Sequence, residues 1–74
     1  MYFDLYFKEI EGYREERAHR PSEVIDICSK EIPDFIRFYG RTHLIYYTKN
    51  ATLDDIVFIS QAGIIAIKEE VTNG

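Results

Sequence analysis

Pro33-Asp34-Phe35-Ile36-Arg37-Phe38-Tyr39-Gly40 is the stretch that decides how this chain folds. Read as a helix, Phe35, Ile36 and Tyr39 continue the helical spacing from Ile32, and Gly40 supplies a C-cap. Read as a strand, Phe35 to Tyr39 are mostly residues suited to a pleated surface, and Gly40-Arg41 turns them into a hairpin with Thr42 to Lys49. Pro33 favours the second reading, because proline cannot continue a helix without losing a hydrogen bond and clashing with the preceding turn. Gly40 is expected to supply the positive φ that tight turns require. The choice also bears on function. As a strand, 35–39 presents an aromatic and basic surface; as a short second helix, its aromatics are mostly core.

Upstream of Pro33 the pattern is plainly helical. Pro21 suits a first helical position, Ser22 and Glu23 suit a first turn, and the helix is expected to run to about Glu31 or Ile32. Val24, Ile25, Ile27, Cys28 and Ile32 form one apolar stripe, while Ser22, Glu23, Asp26, Ser29 and Lys30 face outward. Tyr13 to Arg20 is dense in charge with little periodicity and reads as a solvated connection or a frayed lead-in to the helix. Residues 2–11 alternate: Phe3, Leu5 and Phe7 point to one side, Asp4 and Lys8 to the other, with Tyr2, Tyr6 and Ile10 sharing that second, only partly polar face. Gly12 ends this strand.

Downstream, Thr42 to Lys49 is a strand by composition, closed by a polar turn at Asn50-Ala51-Thr52. Ile56-Val-Phe-Ile59 is apolar on both faces and reads as an interior strand, joined through Ser60 to Gly63 to a further strand at Ile64 to Ile67. No period of 20–50 residues is visible in the sequence. The expected fold is α+β over residues 1–74 as one domain: one helix on a small, curved, mainly antiparallel sheet of four or five strands, in the order β-α-(β)-β-β-β, with partial closure into a barrel.

The 74 residues, 46% hydrophobic and 15% aromatic, suffice for one core. A core of this size rarely yields more than about 3–5 kcal/mol of net stability. The lone Cys28 makes no internal disulfide, and neither a signal-like apolar segment nor a membrane-spanning run stands out, so a cytoplasmic protein without membrane contact is expected. The net charge is −4. It is unevenly spread, for residues 35–53 carry three cations and no acid while the segments 21–34 and 54–74 are acidic.

No catalytic, cofactor or metal motif emerges. The glycines at 12, 40, 63 and 74 are too dispersed for a phosphate-binding loop, and Cys28, His19 and His43 lack ligand spacing. Cys28 lies within the helical apolar stripe, where a thiol is a packing residue. The acidic pairs at 15–16, 54–55 and 69–70 converge poorly on one ligand. The informative feature is the segment Phe35 to Lys49, in which aromatics alternate with cations. Arg37, Arg41, His43, Tyr46, Tyr47 and Lys49 are the candidate contact residues. Tyrosine, phenylalanine and arginine are enriched at protein interfaces, which makes a non-enzymatic interaction or regulatory module, binding a partner or itself, the leading expectation. Aromatic platforms beside cations also suit single-stranded nucleic acid, the alternative expectation.

Overall fold

The protein is described here by a computed structural model covering residues 1–61. The elements are β1 (Tyr2–Lys8), β2 (Tyr13–Ala18), α1 (Pro21–Lys30), β3 (Phe35–Tyr39), β4 (His43–Tyr47) and α2 (Leu53–Gln61). The four strands form one antiparallel sheet in the order β2-β1-β3-β4. The class is α+β, as expected, and 35–39 is a strand. Among the described residues the sheet is open, with β2 and β4 at its edges, so the barrel-like closure is not present there.

Two expected elements change identity. Tyr13 to Ala18, read as a solvated connection, is an edge strand paired with β1 from Phe3↔Ala18 to Lys8↔Tyr13. Its inward residues are not hydrophobic except Ala18. Arg14 instead lays its guanidinium over the Phe7 ring at 4.3 Å and holds Glu16 at 2.7 Å and Glu31 at 2.8 Å. The arginine stem thus covers core that an aliphatic residue would otherwise cover. The turn before it, Glu9 to Gly12, places Gly12 at φ 73 and leaves Ile10 fully in solvent, so β1 stops at Lys8 rather than at Glu11.

The second change is at 56–59, which belongs to a helix. Thr52 and Asp55 form a reciprocal cap: the Asp55 N–H donates to Thr52 Oγ1 at 3.3 Å, and the Thr52 N–H donates to Asp55 Oδ2 at 3.0 Å. This capping box satisfies amides that would otherwise be orphaned at a helix start. It overrides the strand preference of Ile56-Val57. The strand expected at 64–67 lies outside the described residues.

The core lies between the two helices and one sheet face. Phe3, Leu5, Phe7, Ile36 and Phe38 from the central strands meet Val24 and Cys28 of α1 and Ile56 of α2. Ile32, expected in the α1 stripe, falls beyond the helix end and is partly exposed. Both halves of the described chain therefore repeat one unit, ββα, and the two units join along β1 and β3. No period in the sequence announces this, because β2 turns Arg14 and Glu16 inward where β4 turns Leu44 and Tyr46. Among the described residues no helix is long and apolar enough to cross a membrane.

The entry to β3 is clasped on both sides. The Asp34 N–H donates to the Tyr6 carbonyl at 2.8 Å, Asp34 Oδ2 accepts from the Lys8 N–H at 2.7 Å, and the Thr48 N–H donates to the Asp34 carbonyl at 2.8 Å. The buried Thr48 hydroxyl donates to the Pro33 carbonyl. Gly40 does not supply a positive φ, which among the described residues belongs to Gly12. Its role is space, since a Cβ at Gly40 would fall inside the buried Phe38 ring. Gly40→Ala is expected to lower stability by about 1–3 kcal/mol through overpacking, read as a lower urea midpoint with an unchanged slope.

Candidate functional site

The sheet face opposite the helices is the distinctive surface of the molecule. Residues paired across antiparallel strands share a face, so the register defines three rows. The first runs Glu15, Tyr6, Phe35, Tyr47; the second Arg17, Asp4, Arg37, Ile45; the third Tyr2, Tyr39, His43. Lys8 and Tyr13 add a corner, with the Lys8 ammonium 4.9 Å from the Tyr13 ring centroid. None of the described helices covers this face, and its outermost aromatic, Tyr47, is 72% exposed.

The rings are arranged against one another. Tyr6 and Phe35 stack at 4.5 Å and 11°, Tyr2 and Tyr39 at 4.5 Å and 20°, and Tyr39 and His43 at 4.7 Å and 23°. Each stack uses ring faces and leaves ring edges towards the open side of the sheet. The central strands produce this because they carry one pattern in register: Tyr2-Phe3-Asp4-Leu5-Tyr6 lies against Tyr39-Phe38-Arg37-Ile36-Phe35. Apolar residues go inward, aromatics go outward, and a charge stands in the middle of each.

Those central charges are well held. Asp4 is only 2% exposed and accepts from Arg17 Nε at 2.8 Å and Nη2 at 3.2 Å. The Arg17 guanidinium also lies 4.2 Å from the Tyr2 centroid, and its proton is held more tightly than usual, first by the Asp4 hydrogen bond. Arg37 donates to the Tyr39 hydroxyl at 3.2 Å and sits 5.5 Å from the Tyr6 centroid, while its Nε is buried without a hydrogen-bond partner. Such an orphaned buried donor is uncommon.

Burial raises the Tyr6 phenol from 10.0 to about 12, with the nearby Glu15 carboxylate adding to it. Because the folded value lies above the unfolded one, this stabilisation is complete below about pH 10 and is lost as pH rises towards 12. An alkaline titration followed by phenolate absorbance should show a late step that Tyr6→Phe diminishes. Tyr46 is raised in the same direction by burial, and Tyr46→Phe should remove its own share. Burial likewise pushes the Cys28 thiol up to about 12, so it should react with a thiol reagent only after unfolding.

The six residues singled out from the sequence divide among different places. Arg37, His43 and Tyr47 meet on the outer face. Tyr46 points to the helix side, where it packs against the core with its hydroxyl unpartnered. Arg41 lies in the β3–β4 turn and Lys49 beyond the end of β4, both exposed. Sequence reasoning centred on 35–49 missed Arg17 and also Tyr2, Tyr6 and Tyr13, three of the six tyrosine and phenylalanine rings of this face. The alternation in 2–8 already set Tyr2 and Tyr6 on the face opposite Phe3; what was missing was the pairing of β1 with β3. No protein-family profile, curated protein or solved structure matches this chain.

Proposed function

We propose that the chain is a non-enzymatic interaction module that docks a protein partner on the outer face of its sheet. The observation that supports this reading over a nucleic-acid role is the stacking of the rings on each other. A nucleobase needs an open ring face, and in the Tyr2, Tyr39 and His43 stack and the Tyr6 and Phe35 pair ring faces are turned to one another, which leaves Tyr13 and Tyr47 as the unstacked exposed rings. Ring edges of tyrosine and phenylalanine beside arginine are instead what protein interfaces use. The electrostatics point the same way. Arg17 is neutralised by Asp4, so phosphates would find few free cations, whereas Arg37, Arg41 and Lys49 leave the β3–β4 side basic. The partner that fits is a protein surface with an apolar centre and acidic groups towards one rim.

The test is affinity capture from the native host with the wild-type chain and with Arg37→Ala combined with Tyr39→Ala, both checked by circular dichroism. A partner should be retained by the wild type and lost by the folded variant; equal capture by both sinks the proposal. A fluorescent single-stranded oligonucleotide titrated at low salt should show no saturable binding. Binding that weakens steeply with salt would replace this reading with the nucleic-acid one.

A further inference from the structure

We propose that β4, an edge of the sheet among the described residues, takes up a second copy of this chain, antiparallel and centred on Ile45, joining two sheets into one. This concerns the edge of the sheet and stands apart from the docking of a partner on its face. The two edge strands of the described sheet differ sharply. β2 carries Arg14, Glu15, Glu16 and Arg17, charged towards both faces, which is how natural sheets keep an edge from pairing. In β4, His43-Leu44-Ile45-Tyr46-Tyr47, there is no Asp, Glu, Lys or Arg, and Ile45 is 44% exposed.

The backbone is aimed correctly for such an addition. The Thr48 N–H bonds to the Asp34 carbonyl on the β3 side, and antiparallel ladders alternate. Tyr46 and Leu44 therefore also turn their backbone groups to β3, while those of His43, Ile45 and Tyr47 turn outward to the edge. The sequence is also complementary to itself. Centred on Ile45, the pairing sets Ile45 against Ile45, His43 against Tyr47 and Leu44 against Tyr46, so ring meets ring on the outer face and apolar meets apolar on the inner. Slipping by one residue would oppose outer to inner side chains. Self-pairing of β2 would instead bring Glu15 or Glu16 against its own copy. Arg41 and Lys49 flank β4 at opposite ends and approach each other's copies, a mild repulsion that salt screens.

Two measurements on the full chain test this. Light scattering on a concentration series should give twice the chain mass for the wild type, with association strengthened by added salt. Ile45→Pro, which removes an outward N–H and none bonded to β3, should give a single-chain mass with native circular dichroism. The register is tested by cysteines. Hydrogen-bonded partners have Cα atoms about 5.5 Å apart, within disulfide reach. Ile45→Cys should cross-link to itself on mild oxidation, whereas His43→Cys and Tyr47→Cys should cross-link only when mixed, the native Cys28 being buried. A single-chain mass for the wild type at every concentration overturns the proposal. Self-linkage at 43 or 47 as ready as at 45 overturns the register. Mass and cross-linking are read on the wild type and the β4 variants without any partner, and partner capture on the wild type and Arg37→Ala with Tyr39→Ala, so the two readings fail separately.

Discussion

Phe3→Ala is expected to leave most molecules unfolded in water at room temperature. Phe3 is completely buried, and its ring packs on Phe38 across the central strand pair at 5.2 Å. On its other side the register places Ala18, too small to collapse into the space the ring vacates. Truncating a buried phenylalanine costs about 3–5 kcal/mol, which matches or exceeds the net stability of a core of this size, rarely more than about 3–5 kcal/mol. Far-UV circular dichroism should show little native signal for the variant, and Phe3→Leu should restore a cooperative urea transition at a reduced midpoint. A Phe3→Ala protein with a near-native midpoint would mean that the core lies elsewhere.

Arg17→Met should be the most damaging change on the outer face. Methionine keeps the aliphatic cover over Tyr2 but removes both bonds to Asp4, whose side chain is almost fully enclosed. A buried carboxylate left without its charged donors costs about 2–3 kcal/mol. Most of that cost comes from the stranded charge, so adding Asp4→Asn to Arg17→Met should return part of the lost stability. Urea midpoints of wild type, both single variants and the double variant close the thermodynamic cycle. If the second substitution adds its own full loss instead of recovering some, Asp4 and Arg17 do not act as a pair.

How far the sequence reveals this fold depends on which force shaped each element. β1, α1 and β4 are governed by hydrophobic alternation or helical spacing and are visible as such. β3 was separable from a helix because Pro33 forbids continuation from α1. β2 is hidden because ion pairs and an arginine stacked on Phe7 hold it, with Ala18 its one buried residue. For α2 a signal was present: Thr52-Leu53-Asp54-Asp55 is a capping box, but the apolar residues after it imitate a strand. At the site, adjacency misled more than composition did. Tyr46 and Tyr47 are neighbours in one strand and must point to opposite sides, so only Tyr47 joins the outer face. Tyr2 and Tyr6 join it from far away in sequence, through the pairing of β1 with β3 that no local pattern encodes.

The ββα unit used twice also sets an order of events in time. Each hairpin closes over a few residues, across 9–12 and across 40–42, whereas the β1–β3 junction must bring together strands separated by the whole of β2 and α1. Closure entropy rises with the length of chain enclosed, and distant pairings form slowly. The hairpins are thus the early, reversible structures and the junction is the commitment. Until it forms, a first hairpin made by β1 and β2 exposes Phe3, Leu5 and Phe7 beside an unpaired backbone. The half-assembled chain, rather than the native or the fully unfolded one, is the species whose lifetime governs loss to aggregation.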